Sequence, residues 1–153
     1  MVDRFAKLAQ QPIKVSPERL IFGKFRYSTQ FDSGRTHVHF DKVSWAAIVY
    51  LSLDQHCKGG LGIYRHKQLG LDRVPETMDE LAILGCNSLQ DFDEQYVFPI
   101  TKETSCWELI QEIPIKYNRM IMIRGGKYFH GITTQFGTTI DNSRLTQTFF
   151  FNT

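Results

Sequence analysis

The chain has no Cys-x-x-Cys pair, no Lys/Arg-rich run and no long apolar stretch, and each absence removes a class of protein. Its three cysteines, Cys57, Cys86 and Cys106, lie 29 and 20 positions apart. An odd number at such spacing fits reduced thiols in a cytoplasm, not a disulfide or zinc framework. A formal charge of +2 with no basic cluster gives no nucleic-acid signal. The longest apolar run, Trp45 to Leu51, is too short to span a bilayer. The opening "MVDRFAKLAQQ" carries charges where a signal peptide needs an apolar centre. No repeat, low-complexity tract or linker interrupts the chain. What is there is ordinary: 42% hydrophobic and 22% charged residues, a balance that lets 153 positions form one domain, 1–153, with a buried core.

Little helix is expected. Asp3 can cap a short one whose apolar side is Phe5, Leu8 and Ala9. A second is predicted in "PETMDELAILG", with Pro75 in its first turn and Gly85 at its end. The rest reads as short strands with turn punctuation. They fall in "RLIFGKFRYS" (interrupted at Gly23), Val43 to Leu53, "LGIYRHK", Tyr96 to Ile100, Cys106 to Ile115, Arg119 to Arg124, "KYFHGITT" and "RLTQTFFFN". "FDSG" at 31–34 is a turn. In the strand from Cys106, Trp107, Leu109, Gln111 and Ile113 fall on one face. Seven to nine short strands with long excursions predict a mainly all-β chain, a jelly roll with one or two short helices.

One constellation carries chemistry. His39 and Asp41 stand two apart before an apolar strand, and in extended chain such residues share a face. His130, after the Gly125-Gly126 turn, can supply a third donor. Two imidazoles and a carboxylate on one face of an octahedral ion leave three positions open, the facial triad of non-haem Fe(II) oxygenases. The open positions suit a 2-oxo acid and dioxygen. Arg144 opens the final strand and can hold a distal carboxylate by a bidentate pair, with Thr146 two residues on adding a hydrogen bond. Each piece alone has a plainer reading. With five His and nine Asp in the chain, His-x-Asp arises by chance roughly 0.3 times. A lone His130 can be a hydrogen-bonded core histidine, and Arg144 a strand-end surface charge.

In this order, His-x-Asp … His … Arg-x-Thr resembles the iron- and 2-oxoglutarate-dependent dioxygenase superfamily. More narrowly, "FRYSTQFD", "HFDKVSWAAIVYLS", "GGLGIYRHK", "YNRMIMIRGGKYFHG" and "RLTQTFFFN" are similar to a branch of small prolyl-hydroxylase-like proteins, over about residues 20–152. The resemblance implies a double-stranded β-helix, iron on His39, Asp41 and His130, and 2-oxoglutarate on Arg144. It implies hydroxylation of a small-molecule or peptide substrate, with release of succinate and carbon dioxide. Tyr27 lies near where related enzymes place a tyrosine that contacts the cosubstrate. Fourteen residues separate His130 from Arg144, and "QFGTTIDNS" is expected to be the hairpin loop that absorbs this gap.

Two other readings stand beside it. A cupin would use His37, His39 and His130, although no glutamate follows at the expected distance. A metal-free jelly-roll binding module needs none of these residues. Residues 37, 39 and 41 share a parity, so a dioxygenase site requires a twist or bulge here, or His37 as a neighbour of the metal ligands. Trp45 and Ile63 can line such a barrel but serve equally as plain core, the commoner role of apolar residues on strands. Substrate choice is expected from loops 66–80 and 86–105.

Overall fold

The computed structural model describes residues 1–15, 21–32 and 38–153. Arg19 and Leu20 of the first expected strand, Ser33 and Gly34 of the expected turn, and His37 lie outside these residues. Among the described residues the chain is mainly β, with seven strands in two antiparallel sheets. The first sheet runs β1 (Phe22–Ser28), β7 (Arg144–Phe151), β2 (Trp45–Tyr50), β5 (Met120–Ile123). The second runs β4 (Trp107–Pro114), β3 (Gly60–His66), β6 (Phe129–Ile132). Gly23 breaks β1 as expected: it takes a φ of 84°, and the register with β7 slips between Phe22 and Lys24. No helix among the described residues is long and apolar enough to cross a membrane.

Both faces of the first sheet are covered, and alternation along β7 divides its side chains between them. Arg144, Thr146, Thr148 and Phe150 face a cavity between the sheets. Phe149 and Phe151 face the other way, onto helix α1 (Val2–Ala9). There Phe5 is fully buried, its ring 5.1 Å from both Phe149 and Phe151. The apolar side of α1 is narrower than expected, because Leu8 is exposed while Phe5 and Ala9 are buried. Met1, not Asp3, occupies the cap position, and Asp3 adds its charge to the first turn. Trp45 also turns outward, under the Arg124 guanidinium at 5.8 Å, so it does not line the barrel.

A helical excursion joins β3 to β4. Helix α2 (Met78–Ile83) starts at Thr77, whose hydroxyl accepts from the Glu80 N–H at 3.2 Å. Glu80 reaches back to the Glu76 N–H at 2.7 Å, close to a capping box. Pro75 therefore precedes the cap instead of lying in the first turn. Gly85 ends the helix with a φ of 74°. Helix α3 (Leu89–Phe92) follows and runs on through a π-helical turn, Asp93–Val97, into a 3-10 turn, Phe98–Ile100. A strand is predicted over Tyr96 to Ile100, and the structure replaces it with these turns. The aromatic and β-branched residues suggest a strand, but their burial follows a helix. Phe92, Tyr96 and Val97 fall on one side, with the Phe92 and Tyr96 rings 5.9 Å apart. His66, fully buried at the end of β3, donates from Nε2 to the Tyr96 carbonyl at 3.0 Å. Its Nδ1 accepts from the Leu69 N–H at 3.3 Å, so the neutral ring is satisfied on both sides.

The expected face of β4 is interrupted. Tyr64 pairs with Leu109 but Ile63 with Gln111, which leaves Ile110 as the extra residue of a bulge. Trp107 is buried, while Leu109 and Ile110 lie exposed on an edge strand.

Phe5→Ala is expected to cost about 3 to 5 kcal/mol, the usual loss for a fully buried phenylalanine, measured by urea unfolding. A loss under about 1 kcal/mol would mean that α1 contributes little to the sheet. A second expectation concerns Glu80. Hydrogen bonds from the Arg73 guanidinium and the Glu76 N–H hold its carboxyl down at about 2. A depressed folded value means that this support is present above the ordinary carboxylate range and is lost as pH falls towards 2. An NMR titration should find the Glu80 midpoint near 2, rising in Arg73→Met towards about 4.3.

Candidate metal centre and cavity

His39 and His130 meet as a directly opposed antiparallel pair. The His39 N–H donates to the His130 carbonyl at 3.0 Å, and the His130 N–H returns to the His39 carbonyl at 2.8 Å. Opposed residues present their side chains on one face, and the ring centroids are 4.5 Å apart. The segment around His39 does not continue as a regular strand. On one side, the Val38 N–H bonds the Thr101 carbonyl at 3.0 Å and the Thr101 hydroxyl returns to the Val38 carbonyl at 2.6 Å. On the other, the Asp41 N–H donates to the Gly125 carbonyl at 2.9 Å. His37 lies outside the described residues.

Asp41 completes the cluster. Its Oδ1 is 3.7 Å from His39 Nε2 and its Oδ2 is 3.5 Å from His130 Nε2. One donor atom from each residue lies within 4.8 Å of the others. His130 Nδ1 lies 2.8 Å from the Tyr128 carbonyl and donates to it, which leaves Nε2, on the Asp41 side, as the ring atom open to a metal. Among the described residues, Asp41 Oδ2 is buried with no hydrogen-bond partner. A buried carboxylate oxygen without a donor is costly, and a cation removes that cost. The chain makes room for this carboxylate at one point. A Cβ on Gly125 would collide with Asp41 Oδ2, so any side chain there has to displace the carboxylate. Two imidazole nitrogens and a carboxylate oxygen, with no thiolate, fit a borderline or hard divalent ion.

The cluster opens on a cavity of about 410 Å³ between the two sheets. Of the other residues singled out in the sequence, Arg144 and Thr146 line its β7 side. Arg144 is 8% exposed, with its guanidinium 5.4 Å from the centre of the Tyr50 ring. Burial pushes the Tyr50 hydroxyl up, against the opposing charges of Arg144 and Arg119. The Thr146 hydroxyl donates to the Arg26 carbonyl at 3.4 Å. Tyr27 touches the cavity at its rim and is half exposed; it pairs with Leu145, on the other face of β1 from Arg26 and Ser28. Ile63 pairs with His130 across the second sheet but is not part of the cavity wall. The apolar wall comes instead from Ala46, Ile48, Leu61, Ile132 and Phe150. Segment 86–105 adds Asp93, Val97, Phe98 and Thr101.

Arg26, Asp93 and Gly125 belong to this site and are not singled out by the sequence. Arg26 becomes a cavity residue only because β1 pairs with β7, which sets it opposite Thr146. Asp93 faces inward because a π turn follows α3. Gly125 reads as a turn glycine, and its contact with Asp41 comes from more than eighty residues away along the chain.

Over residues 4–151 the chain matches a family described as a family of unknown function (DUF6445), and it belongs to that family. No curated protein and no solved structure matches it.

Gly125→Ala is expected to displace Asp41 and lower Mn(II) affinity at least about tenfold, in line with the loss of a residue that orients a ligand. Electron paramagnetic resonance titration reads the free Mn(II). Unchanged affinity in a folded variant would show that the Asp41 carboxylate is not a ligand.

Proposed function

We propose that this chain is an Fe(II)- and 2-oxoglutarate-dependent oxygenase that hydroxylates a small-molecule or peptide substrate. The observation that carries the reading is the shared cavity. A His39/Asp41/His130 cluster with a hydrogen-bond-deprived carboxylate oxygen opens onto the same space as the buried Arg144. We read the fold as a double-stranded β-helix. Counting segment 38–41 as a short strand beside β6, the chain moves between the sheets at every step except the β3–β4 hairpin. That winding supports a jelly roll of eight strands. The three cysteines are free thiols, in keeping with a cytoplasmic setting.

In this reading, iron supplies the redox chemistry with dioxygen and 2-oxoglutarate, releasing succinate and carbon dioxide. The protein's share is positioning. His39, Asp41 and His130 would hold the ion. The Tyr128 carbonyl keeps the proton of His130 on Nδ1 and leaves Nε2 to bind. Arg144 would fork onto the distal carboxylate of 2-oxoglutarate, where low exposure strengthens the pair. Thr146, two positions on and on the same face, would add a hydrogen bond. The apolar wall from β2, β3, β6 and β7 keeps bulk water from the reacting centre.

Two titrations and a turnover assay test this. Wild-type protein should bind Mn(II), an inert stand-in for Fe(II), and His39→Ala should weaken that binding at least about tenfold. Arg144→Lys keeps the charge but loses the planar fork. It should leave Mn(II) binding intact while weakening 2-oxoglutarate about tenfold or more. Iron-loaded wild type with ascorbate should convert 2-oxoglutarate to succinate. Unaltered 2-oxoglutarate affinity in both Arg144→Lys and Arg144→Ala would remove the reading, as would wild-type protein that binds no Mn(II).

A further inference from the structure

The charges of the cavity are divided between its walls. Arg26 and Arg144 lie on the β1–β7 side. Asp93 lies on the opposite, helical wall, at the start of the π turn. Asp41 stands at the metal cluster, where the reading above assigns its charge to the ion. Asp93 is therefore the remaining negative group of the cavity. Its carboxylate has no hydrogen bond or ion pair among the described residues. Burial pushes its carboxyl up, opposed first by the Lys42 charge and more weakly by His39. An unpaired, partly buried carboxylate is poorly solvated and gains from an incoming cation. Lys42 lies exposed and forms no ion pair with it, so that gain remains open. Five residues on, Phe98 also lines the cavity and leaves its ring 72% exposed at the mouth. Exposed aromatic faces attract cations at close range.

Asp93 also lines a second, adjoining cavity of about 450 Å³, together with Phe40 and Asp41. Asp93 thus borders both cavities, as Asp41 of the cluster does. A π turn inside a helical segment is a recurrent feature of functional sites, since the extra residue redirects side chains inward. Here it turns Asp93 and Val97 to the cavity while Tyr96 stays packed on Phe92.

We infer that the helical wall is a cation subsite: the substrate enters with an ammonium group that Asp93 holds by a charge-assisted pair and the Phe98 ring covers. The inference rests on the oxygenase reading for its substrate, since it places the group to be oxidised beside the metal cluster. It sorts the cavity by charge, with anionic cosubstrate at Arg144 and cationic substrate at Asp93. Asp93 is on this account a specificity-determining residue; the reacting atoms lie elsewhere on the substrate.

Three small probes with the same four carbons separate the possibilities: butylammonium, butan-1-ol and butyrate. Each is titrated into Mn(II)-loaded protein, with paramagnetic broadening of the probe methyl reporting its approach to the metal. Amide shifts at Asp93 and Phe98 in metal-free protein report binding without it. By the amide shifts at Asp93 and Phe98, butylammonium should bind this wall about tenfold more tightly than the other two, the scale of one hydrogen-bonded charge pair. Asp93→Asn should abolish that preference, and Asp93→Glu should restore part of it. Phe98→Ala, at an exposed position, should weaken butylammonium roughly threefold, as expected for an exposed cation–π contact. Equal or tighter binding of butan-1-ol or butyrate at the helical wall, read from the Asp93 and Phe98 amide shifts, overturns the inference, as does a preference that survives in Asp93→Asn. Because the amide shifts need no metal, failure of the Mn(II) titration alone overturns the oxygenase reading and leaves this result to be judged separately.

Discussion

Two backbone hydrogen bonds, exchanged between His39 and His130, hold the site of this protein together. They attach a short segment to the second sheet at one point, and the His39/Asp41/His130 cluster hangs from that point. The opposed pair sets both imidazoles on one face, and the next residue of the same parity on the chain is Asp41. The segment is then gripped at either end, by Thr101 from the helical excursion and by Gly125 from the turn before β6. Removing any of these would let the carboxylate turn away from the imidazoles, because its Oδ2 accepts no hydrogen bond from the described residues that would resist such a turn.

The division of β7 into two faces explains why a small chain can keep a polar cavity. An arginine and two threonines on an inner face would weaken a sheet that had nothing else to bury. Here the outer face carries the apolar burden, with Phe149 and Phe151 packed on Phe5. Stability and chemistry are thus drawn from alternate residues of the same strand. The period-two pattern "RLTQTFFF" states this in the sequence: polar residues occupy the inward positions up to Thr148, and aromatic residues fill the far end.

What could be read from the sequence was what is local. The interruption of β1 at Gly23, the sharing of a face by His39 and Asp41, and the inward pairing of Arg144 with Thr146 follow from spacing of one or two residues. The mainly β character follows from composition and punctuation. The failures were contests between local preference and distant packing. Tyr96 to Ile100 has the residues of a strand, yet Phe92 and Tyr96 stack as neighbours on a helix, and the His66 imidazole fixes the Tyr96 carbonyl. In β4, one extra residue at Ile110 cancels the expected single face. Trp45 lies on the face that α1 covers, and a sequence cannot say which face of a doubly buried strand meets the cavity. Arg26 needed the pairing of β1 with β7, Asp93 the π turn, and Gly125 its contact with Asp41 before their places around the cavity became visible.

The position of β7 has a kinetic consequence. It comes after every other strand along the chain, yet it lies inside the first sheet, between β1 and β2. Its register joins Ser28 to Arg144 and Trp45 to Phe151. Until it arrives, β1 and β2 each carry an open row of unpaired amides and carbonyls beside a gap one strand wide. Contacts of such long sequence separation are slow to close, since the loop entropy must be lost before the pairing gains anything. Insertion of β7 therefore closes the sheet and brings Arg144 to the cavity in one event. Folding and assembly of the site are the same late step, and a chain caught before it exposes strand edges open to pairing with other chains.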